Sequence, residues 1–214
     1  MSNLLSSLAY NVLLLLTVGG EFVLPWILGH FWRAYDPKTT VMSVLGSPQS
    51  PVRGVYNAWL IWLGCFLSLT ALARWDDARS EHPVIAAALL VSIGLFAVGA
   101  GLLAGLFSVN ENRAEITTAS KIHGAGSALG FTALLFFPLA DALLAIKRGD
   151  GAGTVVGFAA FAAALCCFTA FIMGDKERFR DTALARAGVW ERASLLCMYA
   201  PFVFDALRRL LVGM

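Results

Sequence analysis

The sequence predicts an all-α protein, a bundle of six transmembrane helices, and three observations lead to that fold class. Hydrophobic residues make up 58% of the 214 residues and charged residues only 14%, against roughly 25% charged residues in soluble domains. The mean hydropathy is +0.73. The apolar residues fall into runs of about 20, the length at which a helix crosses the hydrocarbon core of a bilayer. These runs nearly fill the chain, so we expect a single integral membrane domain, residues 1–214.

Six apolar runs follow one another along the chain, with short polar links between them. They cover approximately residues 8–32, 54–73, 84–107, 120–146, 152–174 and 187–211. The third run begins after Pro83, a residue that suits the first turn of a helix, and the fourth is stopped by KRGDGAG. In lipid, runs of this length satisfy their backbone hydrogen bonds only as helices. The short alternating strands of a membrane barrel are missing from the sequence.

The even number of spans predicts that both termini lie on one side of the membrane, which we call the terminal face. The opposite side, the loop face, then carries the connections 33–52, 108–119 and 175–186. Most Lys and Arg residues lie near the loop face, and this favours a cytoplasmic loop face by the positive-inside rule.

Composition and spacing also limit the partners and cofactors that we expect. A net charge of +2 without any basic tract does not suit a nucleic-acid backbone, so no nucleic-acid partner is expected. His30 and His123 both lie near the loop face, but haem carriers usually place facing pairs of histidines within helices and the sequence offers only these two. No Cys/His spacing resembles a zinc site. The sequence therefore predicts no metal and no cofactor.

Two glycine pairs predict a close helix contact. The third run contains GAGLLAG, with Gly101 and Gly105 four residues apart, and the fourth contains GAGSALG, with Gly126 and Gly130 four apart. Residues four apart share a helix face, and glycine there allows two backbones to approach closely. We expect these two faces to meet each other.

Three acidic residues within the apolar runs need partners. Glu21 lies near the middle of the first run, where a carboxylate costs several kcal/mol unless it is protonated or paired. It is either a hydrogen-bonded structural group or a functional one. Asp141 and Asp205 lie toward the terminal face, and we expect them to pair with Lys147 and with Arg208 and Arg209.

Several short segments, taken in order, resemble one known family. The first link and second run read YDPKTTVMSVLGSPQSPVRGVYNAWLIWLG, the third run ends in GLFSVNE, and a histidine opens the fourth. This order and spacing resemble the bacterial and archaeal membrane family called domain of unknown function 998. The matching residues are Tyr35, Pro37, Ser43, Leu45, Gly46, Pro51, Asn57, Gly105, Phe107, His123, Gly188, Glu191 and Arg192, whereas Ser108 stands where proline is usual. The resemblance implies a six-span protein of a prokaryotic cell membrane and supplies no function.

The polar residues among these matches all fall at the loop face, where the fourth and sixth runs begin. The candidate ligand-binding residues are Ser43, Asn57, His123, Glu191 and Arg192. Because polar groups in a membrane bundle face each other or a water-filled cavity, we expect His123 to lie within reach of Glu191 or Arg192. The alternative is a hydrogen-bonded clasp that holds the loops together.

Three functions remain open on the sequence alone. The first is a membrane protein whose loop-face pocket binds a lipid head group, with Arg192 pairing with a phosphate. The second is a membrane enzyme acting on a lipid or isoprenoid, with His123 as general base and Glu191 orienting it, the two candidate catalytic residues. The third is an accessory subunit of a larger membrane complex, or a homo-oligomer, that packs through its glycine and aromatic faces.

Overall fold

The computed structural model describes residues 2–110 and 116–212 and confirms an all-α bundle of six long helices. Within those two ranges there is no strand. A four-residue helix, Ser2–Leu5, precedes the bundle. The long helices are α1 Leu8–Gly29, α2 Arg53–Ala78, α3 Pro83–Leu106, α4 Thr118–Lys147, α5 Gly151–Gly174 and α6 Ala187–Val212.

The chain is an integral membrane protein, because five of its helices, α1 to α5, are long and apolar enough to cross a bilayer. The sixth, α6, has 26 residues but is less apolar. Its charged residues gather near its two ends, Glu191 and Arg192 at the start and Asp205, Arg208 and Arg209 near the finish. The stretch between them is uncharged and runs through the core, where Tyr199 and Phe202 are almost fully buried.

Two helices depart from regular α-helical geometry, and one of them shapes the functional site. α3 widens to a π-helix over Ala97–Leu103. α4 is interrupted at Phe136, two residues before Pro138, because proline has no N–H to continue the helical hydrogen bonds. The part of α4 after the interruption packs along α5, whereas the part before it packs on α3 and hardly touches α5. A gap therefore opens between α4 and α5 in the loop-face half of the bundle.

The glycine faces pack against different neighbours from those predicted. Gly101 lies against Gly64 of α2, where an added Cβ would come 2.5 Å from the Gly64 Cα atom, and Gly105 also faces α2. Gly126 of α4 meets the backbone of Gly99 instead. Gly101 and Gly105 thus lie in close contact with a neighbouring helix, as predicted, but that helix is α2 and not α4, so the prediction that the two glycine pairs face each other is wrong. α3 lies between α2 and α4, and within its π-helical part Gly99 faces α4 whereas Gly101 faces α2, so each glycine packs against a different neighbour.

A buried ion pair network centred on Arg74 joins three helices near the terminal face. One guanidinium nitrogen donates to Asp141 at 2.5 Å and another donates to Asp205 at 2.9 Å. The guanidinium also lies over the rings of Phe137 and Phe202, 5.4 and 5.1 Å from their centroids. α2, α4 and α6 are held together by this one cation.

The partners predicted for the two aspartates are therefore corrected. Arg74 is the close partner of both, whereas Arg208 reaches Asp205 only at 3.8 Å and pairs more closely with Asp150. The structure shows no ion pair between Lys147 and either aspartate within the described ranges.

Candidate functional site

A cavity of about 370 Å³ occupies the gap between α4 and α5 in the loop-face half of the bundle. Its size falls within the range of small-molecule sites. Most of its wall is apolar, and four phenylalanines form much of that wall: Phe96 of α3, Phe131 of α4, and Phe168 and Phe171 of α5. The ring centroids of Phe131 and Phe168 lie 6.4 Å apart across the gap. The cavity is thus an aromatic cleft between two helices that diverge.

Two carboxyl groups and one imidazole, from three different helices, converge on this cleft. They are Glu21 of α1, His123 of α4 and Glu191 of α6, with exposed fractions of 3%, 4% and 6%. Ser43 of the first loop joins them. Among the described residues that line the cleft there is no Lys or Arg. The polar part of the site therefore consists of two carboxyl groups, one imidazole and four hydroxyls, those of Ser43, Tyr56, Ser127 and Thr132.

The Glu21 carboxyl is held in the membrane interior by an indole. The Nε1–H group of Trp59 donates to Oε2 of Glu21 at 2.9 Å. Gly20 makes room for that indole, because a Cβ at position 20 would come within 2.4 Å of the Trp59 ring. The GGE sequence of α1 thus places a carboxyl group where α2 can supply a hydrogen-bond donor.

The Glu191 carboxyl ties the start of α6 to the first loop. The backbone N–H of Met42 donates to Oε2 of Glu191 at 2.7 Å. Met42 opens a short 3-10 helix, Met42–Gly46, whose next residue is Ser43. The bond therefore also fixes the backbone that carries Ser43 into the cleft.

His123 is oriented by a backbone carbonyl and not by a carboxylate. Its Nδ1 atom lies 2.9 Å from the carbonyl oxygen of Phe107, just beyond the end of α3. A carbonyl oxygen only accepts, so Nδ1 carries a proton and donates. In the neutral ring Nε2 is then an acceptor. His123 and Glu191 line one cleft, as the sequence analysis expected, but no hydrogen bond joins them among the described residues.

Arg192 lies outside the cleft and acts as a clasp. Its guanidinium donates to the carbonyl oxygens of Pro37 and Gly188, both at 2.8 Å, and to the hydroxyl of Tyr35 at 2.5 Å. Burial raises the pKa of Tyr35 to about 12 against the opposing effect of the Arg192 charge, so the hydroxyl stays neutral and accepts. Arg192 thus binds the start of α6 to the first loop, which is one part of the clasp expected as the alternative to a ligand site.

Replacing Arg192 with lysine should lower the free energy of unfolding by roughly 1.5–3 kcal/mol, the range for hydrogen bonds to a charged group. A lysine ammonium cannot reproduce the planar fork of donors. Thermal unfolding in detergent would measure the loss. The exposed Arg186 makes no side-chain hydrogen bond within the described ranges, so Arg186→Lys is the control. Equal melting temperatures for the two variants would contradict the clasp.

Asn57 also lies outside the cleft. Its Oδ1 atom is buried without a hydrogen-bond partner in the described part of the chain, and it sits against Gly46, where a Cβ would come within 2.2 Å of it. Asn57 therefore packs the 3-10 turn onto α2. Of the five predicted ligand-binding residues, the structure places Ser43, His123 and Glu191 around the cleft, and Asn57 and Arg192 behind it.

Sequence reasoning missed the aromatic wall of the site and did not assign Glu21 or Tyr56 to it. Phenylalanine is common in membrane helices, and nothing in the spacing of these four marks them as a group. No group of three or more His, Cys, Asp or Glu residues that could hold a metal ion occurs within residues 2–110 and 116–212.

Comparison with known proteins places the chain in a family. The family described as "Protein of unknown function (DUF998)" matches residues 16–207, a range that includes every residue assigned here to the cleft and to the clasp. No curated protein and no solved structure matches the chain.

Proposed function

The chain belongs to the DUF998 family of proteins of unknown function, and on that premise we propose that it binds an amphiphilic lipid in the cleft between α4 and α5. The observation that carries this proposal is the composition of the cleft. It combines an aromatic wall at membrane depth with a cluster of polar groups toward the loop face. An apolar chain would lie along the phenylalanines, and a polar head would reach Ser43, His123 and Glu191.

A lipid would reach the cleft sideways from the bilayer. Ala128 and Thr132 of α4 and Ile172 of α5 line the cleft and are also exposed on the outside of the bundle. In a membrane this outer surface faces acyl chains. The interruption of α4 keeps the two helices apart at this point, so no large rearrangement is required for a chain to enter.

The residues that we propose to contact the head group differ in part from those expected from the sequence. Arg192 was expected to pair with a phosphate, but three of its hydrogen bonds already go to the first loop and to its own helix. We therefore propose that Ser43, His123 and Glu191 contact the head group and that Arg192 and Asn57 support them from behind. The membrane enzyme acting on a lipid or isoprenoid, the accessory subunit and the location in a prokaryotic cell membrane stay predictions.

Filling the cleft should weaken the binding of a neutral amphiphile. Monolauroylglycerol, titrated onto detergent-purified protein and counted by native mass spectrometry, should bind wild type saturably at one site. Ala128→Phe places a ring at the rim of the cleft and should weaken binding at least about tenfold, equivalent to 1.4 kcal/mol. Ala125→Phe is the matched control, because Ala125 is exposed on the same helix and does not line the cleft.

Two results would overturn the proposal. One is binding to Ala128→Phe that equals binding to Ala125→Phe. The other is non-saturable uptake by wild type, which is the behaviour of a lipid dissolved in the detergent belt. Melting temperatures of both variants should stay near wild type, because each substitution starts from an exposed alanine.

A further inference from the structure

Resting on the proposed function, we infer that the head group selected by this cleft is cationic, an amine or a quaternary ammonium on an apolar chain. The first reason is the balance of ionisable groups. Glu21 and Glu191 face the cleft, and no Lys or Arg of the described residues lines it. A phosphate or carboxylate head would lose its hydration and find no counter-charge there, which is strongly unfavourable in an apolar site.

Each carboxyl group has bonding capacity left for a ligand. The structure shows one hydrogen bond to Glu21, from the Trp59 indole, and one to Glu191, from the Met42 backbone. In both cases Oε2 is the acceptor, and among described residues no hydrogen bond reaches Oε1. A carboxylate accepts at both oxygens. The two Oε1 atoms would accept hydrogen bonds from the N–H groups of an ammonium. A quaternary ammonium has no N–H, and its diffuse positive charge would lie against these oxygens instead.

The aromatic wall suits the same chemistry. A cation within about 6 Å of a ring centroid is attracted by the ring quadrupole, more strongly when the pair is desolvated. The ring centroids of Phe96 and Phe131 lie 5.4 Å apart in an edge-to-face contact. The Phe131 ring in turn stacks on the Phe168 ring across the gap. The rings line the same cleft as the two carboxyl groups, and aromatic faces are among the groups that bind quaternary ammonium ligands.

The imidazole fits this assignment without adding charge. With Nδ1–H donated to the Phe107 carbonyl, the neutral ring offers Nε2 as an acceptor, which an ammonium N–H can use. A buried carboxylate without a partner is costly in a membrane, and a bound cation would offset part of that cost for Glu21 and Glu191, since its one positive charge balances one of the two carboxylates. The cationic ligand thus satisfies the acceptors of the cleft.

Three probes with the same twelve-carbon chain test the inference: dodecylammonium, monolauroylglycerol and dodecyl phosphate, each kept below its micellar concentration. Dodecylammonium should bind wild type at least about tenfold more tightly than the neutral probe, and dodecyl phosphate should bind most weakly. Glu21→Gln and Glu191→Gln should each reduce the ratio of amine to neutral affinity to about one. Both glutamines keep an oxygen acceptor for Trp59 or Met42, so the fold keeps its hydrogen bonds.

Glu177→Gln is the control for a general loss of negative charge. Glu177 lies on the loop face outside the cleft, with its side chain 85% exposed, and this variant should keep the wild-type ratio. If Glu191→Gln does not fold, Glu21→Gln carries the test alone. The cationic assignment is overturned if wild type binds the amine and the neutral probe with equal affinity, or if it binds dodecyl phosphate more tightly than the amine. The proposed lipid site would stand in either case. If the Ala128→Phe variant binds every probe as tightly as wild type does, the lipid site itself is overturned.

Discussion

Replacing Arg74 with methionine should lower the free energy of unfolding by about 3–5 kcal/mol, the range for breaking a buried ion pair from one side. Arg74 and Asp141 are each only 8% exposed, and the Arg74 guanidinium bonds both Asp141 and Asp205. Methionine would replace the aliphatic stem but leave two carboxylates without their shared cation. Thermal unfolding in detergent measures the loss.

A compensated variant and an exposed control separate the charge effect from packing. The triple variant Arg74→Met, Asp141→Asn and Asp205→Asn leaves no uncompensated charge in the network, so it should regain most of the lost stability. Arg79→Met breaks an ion pair with Asp76 whose arginine side chain is 54% exposed, and it should cost less than about 1 kcal/mol. A melting temperature for Arg74→Met equal to that for Arg79→Met would show that the network contributes little.

The sequence could predict that the two aspartates need a cation but not which one. The second apolar run ends near residue 73, so Arg74 reads as the first residue of a polar link. In the structure α2 continues to Ala78, and that extra turn carries Arg74 along the bundle against α4 and α6. The choice of Arg74 depends on how the helices are placed around one another, which apolar run lengths do not encode.

For the candidate site too, the sequence predicts how far along its helix a residue lies but not the direction in which its side chain points. Counting spans predicts that His123 and Glu191 start their helices at the same face, and both line the cleft. Counting does not predict that Arg192, one residue later, points about 100° away around the helix and binds the first loop. The aromatic wall depends on the interruption of α4 at Phe136, so its members become neighbours only in the folded bundle.

Leucine at Gly101 should destabilise the bundle by at least about 1–3 kcal/mol, the usual cost of overpacking. A Cβ at this position would lie 2.5 Å from Cα and 2.9 Å from N of Gly64. These are backbone atoms, so relief requires α2 and α3 to move apart. Gly94 of the same helix has nothing within 4 Å of its Cβ position. Gly94→Leu is therefore the matched control and should melt near the wild-type temperature.

Alanine variants then decide which helix Gly101 meets. Contacting residues show coupled effects on stability, whereas separate sites add within about 0.3–0.5 kcal/mol. Gly64→Ala and Gly101→Ala should couple, because either Cβ alone already forces α2 from α3. Gly101→Ala and Gly126→Ala should add, because Gly126 meets Gly99 on the other side of α3. The opposite result, in which Gly101 couples with Gly126 and is additive with Gly64, would contradict this arrangement. It would restore the direct α3–α4 glycine contact expected from the sequence, with Gly101 facing α4 and not α2.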